Sequence, residues 1–379
     1  MAHLGREAYI SSDWYLKEQT DLLGRSWQFA CLDTDLMSAG DFVSVQVGPY
    51  PLMVAKMKDG TLGAYHNICR HRGTTLVDGK GNTGQSFVCP YHRWTYALDG
   101  RLKGAPDMAQ CFPELDRKGL SLKPAGVGQF KGLVFINPNP EANFDDWIKP
   151  IFGKAWPHDL SAKDISEAAP LIYEMACDWK VFVENAIDGY HLAYLHEKTL
   201  GGPKPAENIW EREGPHLLWF ATDEDDTRDS LPLKIRKEAK SVWLKPIKSA
   251  KDPGYAGVFH LFPTTLITAT PYTFSISTLI PLEAAKCRME VRHFVGPGQR
   301  KDERKHIAGY DSKTGIISSK NWSKHALDTG DFQTEDVWIC EKLQRGLNSP
   351  AFERGPLAKG AGAEDPIMWF HENILARLK

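Results

Sequence analysis

Two short runs, Cys69-Arg70-His71 and Cys89-Pro90-Tyr91-His92, each place a thiolate and an imidazole in one tight loop. Four ligands of this mix can hold a zinc ion as Cys2His2, or a [2Fe–2S] cluster with two cysteines on one iron and two histidines on the other. A zinc finger carries its last two ligands three to five residues apart on a helix. Here both pairs run Cys then His, and each follows a strand-like run, 62–65 before the first and 86–88 before the second. Two similar loops at the tips of two hairpins suit a cluster with a two-sided ligand set.

A second constellation lies at 179–196, a stretch with helical periodicity that the pattern predicts as one helix from 178 to 196. At 100° per residue, Glu184, Asp188 and His191 fall within about 60° on one face. Carboxylates and an imidazole flanked by so many apolar residues are expected to be buried, and buried charges need each other or a metal. His191 and His196 are about 140° apart on an ideal helix, so the helix must bulge or end between them if they share one ion. Gly189 supplies backbone freedom there. Two histidines with one carboxylate and open positions form the facial triad of non-haem Fe(II) oxygenases. The predicted helix 334–347 offers the carboxylate. Asp336, Cys340, Leu343 and Leu347 form its expected inner stripe, which turns Asp336 inward and Glu335 to the side. The plainer reading has both acids complementing the helix dipole in the first turn, with Thr334 as cap.

The elements that must position these residues fall into two groups. Ser11-Ser12-Asp13 predicts a cap for a helix through Trp14, Leu16, Leu22 and Leu23. Residues 36–147 read as β-rich, with strands at 42–47, 52–55, 94–98 and 133–136 and a turn at Lys58-Asp59-Gly60. Asn137-Pro138-Asn139-Pro140 marks a boundary. Beyond it, 219–222, 257–261, 264–270, 273–280 and 288–295 read as antiparallel strands, closed by helices at 334–347 and 365–378. The expected division is 1–35, 36–147 and 148–379.

Composition excludes several classes. The chain has 379 residues, 42% hydrophobic and 25% charged, with formal net charge −2. That is enough for two ordinary globular domains. No basic balance points to nucleic acid, and no apolar run reaches the roughly 18 residues of a membrane span. Of seven cysteines, Cys31, Cys111, Cys177, Cys287 and Cys340 are scattered singly, a pattern expected of packed thiols in a reducing cytoplasm. The acidic run 223–226 and the basic region 234–248 read as solvated faces.

The C-x-H…C-x-x-H pair resembles the Rieske iron–sulfur domain. With D-x-Y-H-x-x-x-x-H at Asp188–His196, and E-D and Q-R-G-L at 335–336 and 344–347, nearly the whole chain resembles the catalytic α subunit of a Rieske non-haem iron aromatic-ring-hydroxylating oxygenase. The resemblance implies an α+β fold: an all-β Rieske [2Fe–2S] domain and a helix-grip, START-like antiparallel-sheet catalytic domain, with the N-terminal helical segment packed on the latter. It implies cluster ligands Cys69, His71, Cys89 and His92, and Fe(II) ligands His191, His196 and Asp336. Glu184 occupies a position that is Asn in some members. Asp188 would link His191 to His92 of a neighbouring subunit, which calls for a head-to-tail homotrimer. No G-x-G-x-x-G stands at a strand–helix junction, so electrons come from a separate NAD(P)H-dependent reductase, with or without a ferredoxin.

The implied activity is O2-dependent hydroxylation of a small organic substrate, an arene in the first reading. The alternative substrate is a quaternary ammonium of choline, betaine or carnitine type, because Gln344-Arg345-Gly346-Leu347…Gly355-Pro356 is also similar to those oxygenases. Dioxygenation, monooxygenation and demethylation remain undivided. An electron carrier fused to a ligand-binding domain is the reading of another class. Trp219, Phe220, His260, Phe262, Thr265, Ile267, Tyr272 and Phe274 are pocket candidates, whereas His216 and His293 read as packing.

Overall fold

The computed structural model describes residues 3–154, 158, 160, 165–199, 209–221, 256–270, 272–296, 302 and 304–378. The chain divides into two compact units, Glu18–Lys149 and Met1–Lys17 with Pro150–Lys379. The runs 223–226 and 234–248 lie outside the described residues, as do the side chains of 220 and 221.

The unit Glu18–Lys149 is built from antiparallel sheets. One has the order Leu62–His66, Tyr50–Lys56, Asp41–Val47, Lys80–Asn82, and a second the order Ser86–Val88, Thr95–Ala97, Leu102–Gly104. A third pairs Leu133–Asn137 between Gln28–Leu32 and Gly126–Phe130. Leu52, Met53, Val54 and Ala55 are all buried, so both faces of their strand are covered. The two Cys–His loops share one backbone design. Cys69 N–H bonds Thr74 and Gly73 N–H returns to Cys69; Cys89 N–H bonds Trp94 and Arg93 N–H returns to Cys89. The returning residue is left-handed in both, Gly73 at φ +81° and Arg93 at φ +60°. Arg93 bears the steric cost that glycine avoids. Met53, Phe87, Trp94 and Tyr96 pack beneath the loops with both cysteines.

The second unit contains a nine-stranded sheet. Its order runs Glu211–Glu213, His216–Ala221, Ala256–Leu261, Thr265–Ala269, Thr273–Glu283, Lys286–Val295, Leu171–Met175, Ile316–Ser318, with only the last pair parallel. Ser166–Glu167 pairs with Lys286–Val295. The helices Trp179–Ala186, Phe332–Leu347 and Asp365–Arg377 pack together: Trp179 meets Phe370 edge-on at 5.8 Å, and Cys340 Sγ lies 3.8 Å from the Val181 carbonyl. Lys180 is fully buried in this layer, paired with Asp178 at 2.7 Å and set against the rings of Tyr9 and Trp179.

Three helix expectations need correction. The helix expected over 178–196 is two pieces, Trp179–Ala186 and Leu192–Leu195. Between them Gly189 lies on the backbone of the C-terminal segment, donating to the Ala363 carbonyl (3.1 Å), where a Cβ would collide with the Gly362 carbonyl oxygen. The helix Phe332–Leu347 starts earlier than expected, and Asp331 caps it, accepting the Gln333 and Thr334 N–H groups at 3.3 Å each. Its inner stripe is Val337, Cys340, Gln344 and Leu347, with Glu335 1% exposed and Leu343 50% exposed. At the N-terminus, Ser11 Oγ accepts the Trp14 N–H as expected, but only Ser12–Lys17 is α-helical; Glu18–Leu22 is a π turn.

Candidate metal centres and active site

In the unit Glu18–Lys149, the paired loops bring Cys69, His71, Cys89 and His92 together. Both cysteines are buried, and their thiols interact. The imidazoles of His71 and His92 meet at 4.7 Å between centroids. His71 is stacked on Trp94 at 4.9 Å, nearly parallel, and Phe112 closes the edge. The Tyr96 hydroxyl accepts the Arg70 N–H (2.9 Å), which leaves its proton for Cys69 Sγ at 3.4 Å. Burial pushes the Cys69 thiol pKa up, with the Tyr96 hydrogen bond opposing it. Burial, then the neighbouring His92 and Arg72, push the His71 pKa down, which favours the neutral imidazole. Its Nδ1 is buried and has no hydrogen-bond partner. A buried lone pair beside two thiols fits a metal group held between the loops.

In the second unit, the broken helix and the start of Phe332–Leu347 converge. The ligand atoms of His191, His196 and Asp336 all lie within 4.8 Å of one another, the one trio of this kind among the described residues. His196 Nε2 is 2.9 Å and His191 Nε2 3.7 Å from Asp336 Oδ1, and the two Nε2 atoms are 3.2 Å apart. Each imidazole has a carboxylate behind it. Asp188 Oδ2 is 3.2 Å from His191 Nδ1, and Glu335 Oε2 is 2.7 Å from His196 Nδ1. Thr199 Oγ1 donates to that same Glu335 oxygen at 2.7 Å. At His196 such backing fixes the tautomer with Nε2 free to ligate, whereas His191 Nδ1 lies near Asp188 without a well-aligned hydrogen bond. Asn185 Nδ2 donates to Asp336 Oδ1 at 2.8 Å.

Burial disfavours charge on His191, but Asp188 and Asp336 outweigh it and raise its pKa to about 9. His196 is raised for the same reason, against the same burial, by Asp336 and Glu335. Burial would raise the Asp336 pKa, yet the two histidines hold it far below the usual carboxylate range. The trio therefore attracts positive charge, and two facing imidazole nitrogens beside a carboxylate fit a divalent cation.

Sequence reasoning misplaced two neighbours, Glu184 and Glu335, and missed a third, Asn185. Glu184 does not share the face of Asp188 and His191: its Oε1 accepts from the Tyr9 hydroxyl (2.6 Å) and lies 3.0 Å from His371 Nε2, with Arg354 donating to the Tyr9 oxygen at 3.1 Å. Burial opposes ionisation of Glu184, but His371 and Arg354 lower its pKa on balance. The next residue, Asn185, stands at Asp336 instead. Glu335, expected at the side, is the buried partner of His196; an acid immediately before the ligand Asp on an otherwise packed helix was the available signal.

A cavity of about 180 Å3 adjoins the trio, with Phe182, Trp210, Trp219 and Phe332 in its walls. The sheet contributes Val258, Leu266, Thr268, Ser277 and Met289. The register pairs Val258 with Thr268 and Leu266 with Ser277, placing them on one face. Of the described pocket candidates only Trp219 lines the cavity. Thr265, Ile267 and Phe274 alternate to the opposite face, and His260 and Phe262 pack on Phe370. Tyr272 is not among the lining residues, and Phe220 lies outside the described side chains. Alternation could not choose the face because Thr265-Leu266-Ile267-Thr268 puts one threonine and one aliphatic residue on each side. His216 serves the packing, accepting the Phe262 N–H at 3.3 Å.

Residues 26–123 match the Rieske [2Fe-2S] domain, and residues 162–379 match the catalytic domain of the ring-hydroxylating alpha subunit. The chain belongs to the Rieske oxygenase α subunits, oxidoreductases that combine a Rieske [2Fe–2S] cluster with a mononuclear iron and use O2 with electrons from a reductase partner. Zinc at the first site and a non-enzymatic electron carrier are thereby set aside. The chain is 33% identical to the glycine betaine monooxygenase oxygenase subunit of Pseudomonas aeruginosa (strain UCBPP-PA14), over 95% of this chain and 86% of that one. It is 27% identical to the chloroplastic choline monooxygenase of Beta vulgaris, over 97% and 76%. In fold it is similar to a quaternary ammonium Rieske monooxygenase in complex with L-carnitine, with TM-score 0.74, 21% identity and coverage of 100% and 96%. Naphthalene 1,2-dioxygenase from Rhodococcus sp. shares the fold at TM-score 0.70, with 18% identity and coverage of 98% and 93%. No described helix is long and apolar enough to cross a membrane.

Proposed function

We propose that this chain is the oxygenase component of a quaternary ammonium monooxygenase. The observation that carries this is the cavity beside the trio, walled by Phe182, Trp210, Trp219 and Phe332. Aromatic faces attract a quaternary ammonium, which cannot donate a hydrogen bond and is recognised by ring quadrupoles and apolar contact. The same rings would accept an arene. The relatives that match over most of the chain are named for glycine betaine, carnitine and choline, which favours the cation over an aromatic hydrocarbon.

In this reading Cys69, His71, Cys89 and His92 hold the cluster, and His191, His196 and Asp336 hold the ferrous iron. When bound, these groups supply one-electron transfer and activation of O2. The chain supplies the rest. Glu335 and Asp188 orient the two imidazoles, Asn185 holds the Asp336 carboxylate, and the aromatic walls keep an N-methyl group beside the trio while excluding water. Asp188 also bridges from His191 to His92 of the next subunit, which makes a homotrimer the working assembly. An NAD(P)H-dependent reductase, with or without a ferredoxin, supplies electrons in the cytoplasm.

The test is iron and acid-labile sulfide per chain on anaerobically purified protein, followed by turnover with choline, glycine betaine, carnitine and, for comparison, naphthalene under ¹⁸O2. Three irons and two sulfides are expected, falling to two and two in His191→Ala, with one labelled oxygen per turnover, read in the aldehyde released and trapped as it forms. Two labelled oxygens in an arene product, with no reaction of the ammonium compounds, would overturn the reading.

A further inference from the structure

Gln333 lines the cavity three residues before Asp336, at the start of the helix Phe332–Leu347. Residues three apart on a helix are neighbours, with Cβ atoms about 5–6 Å apart. The Gln333 side chain therefore stands beside the trio. Its Nε2 is buried and has no acceptor, whereas the other cavity amide, Asn185, is satisfied by Asp336. The backbone beneath it is fixed: the Gln333 N–H is taken by the Asp331 cap. A buried N–H2 without a partner carries a desolvation penalty that an acceptor on a ligand would remove. The rings of Phe182, Trp210 and Trp219 can hold a cationic head, and Gln333 Nε2 is the buried amide donor of the cavity left without an acceptor.

The geometry points to Gln333 as the residue that recognises the oxygen-bearing tail of the substrate, donating its side-chain N–H to a hydroxyl or carboxylate oxygen a few bonds from the ammonium. This rests on the quaternary ammonium reading above. It makes Gln333 a specificity determinant, selecting ammonium compounds with a nearby oxygen over purely alkyl ones.

The experiment is calorimetric titration of the full-length, iron-loaded protein with choline, glycine betaine and propyltrimethylammonium, which replaces the choline hydroxyl with a methyl. The wild type is expected to bind at least one oxygen-bearing compound roughly 10–100-fold more tightly than the alkyl analogue. In Gln333→Met that preference disappears through loss of affinity for the oxygen-bearing compound, and the alkyl analogue binds as before. Gln333→Glu, which keeps the size, costs glycine betaine more than choline and carries the test if the Met variant does not fold. Binding of all three compounds without preference in the wild type, or a preference that survives both substitutions, overturns the assignment of Gln333 and leaves the substrate class standing. Failure of the wild type to bind any of the three overturns the substrate class itself.

Discussion

At the scale of single residues, the trio depends on the carboxylates behind its histidines. Glu335 is 1% exposed and touches His196 Nδ1 and Thr199 Oγ1 through one oxygen. Removing it frees the imidazole to turn and leaves the Thr199 hydroxyl only its longer bond, 3.4 Å, to the His196 carbonyl. Glu335→Ala should weaken Fe(II) or Co(II) binding by about 10–100-fold, read by metal titration, with Glu335→Gln losing less because an amide oxygen still accepts. A binding constant unchanged in both variants would show that His196 is oriented by packing alone. His260 makes a separate prediction. Its Nε2 bonds the Pro263 carbonyl at 2.9 Å, and complete burial lowers its pKa from 6.5 to about 4. As pH falls, the unfolded chain takes up this proton first, so stability is full above 6.5 and is lost towards 4. The loss is on the order of 3 kcal/mol for that shift. Denaturant unfolding at both ends of the window should show this slope in the wild type and a flatter one in His260→Gln.

At the scale of elements, the break between Trp179–Ala186 and Leu192–Leu195 lets His191 and His196 reach one point. It is held by backbone meeting backbone at Gly189 and Gly362–Ala363. Gly189→Ala cannot be relieved by a side-chain rotation, since the atom it meets is a carbonyl oxygen. The variant is expected to lose metal affinity and thermal stability together; a stable protein with unaltered metal binding would mean that the contact is not required. The start of Phe332–Leu347 is held by Asp331, whose carboxylate takes two backbone N–H groups and the Thr334 hydroxyl. Asp331→Ala should cost about 1 kcal/mol in equilibrium unfolding, as loss of a helix cap does. Because Asp336 lies only one turn further on, metal affinity should fall as well.

At the scale of the whole molecule, Asp188 is the residue with two proposed duties, behind His191 in its own subunit and toward His92 of the next. Asp188→Asn keeps the size and loses the charge. It should leave cluster and iron content intact while slowing reoxidation of the reduced cluster roughly tenfold or more, followed by stopped-flow absorbance. Sedimentation should give three copies per particle. A monomer that reoxidises its cluster at the wild-type rate would contradict the bridging role.

Residue type and spacing brought both candidate ligand sets into view, and the family resemblance chose Asp336 for the second. Cys69, His71, Cys89 and His92 stand at intervals that tight loops impose, and the strands flanking them were visible from alternation and turn residues. His191 and His196 stood out because buried charged and ligating groups need each other or a cation, whereas Asp336 read equally well as a helix-dipole residue until the resemblance singled it out. What lies across the chain was not. The partners of Glu184, namely Tyr9, His371 and Arg354, come from both ends of the sequence, and no periodicity links them. The helix break at Gly189 depends on a backbone segment that arrives from residue 362. Lys180 is fully buried with Asp178 and two aromatic rings, in a position that a linear pattern assigns to an ordinary charged residue. The cavity face of the strand through Thr265-Leu266-Ile267-Thr268 was undetermined because each side carries one threonine and one aliphatic residue, so only the tertiary structure chose Leu266 and Thr268 over Thr265 and Ile267. Local chemistry is written in neighbours along the chain, whereas long-range packing decides which of those groups meet.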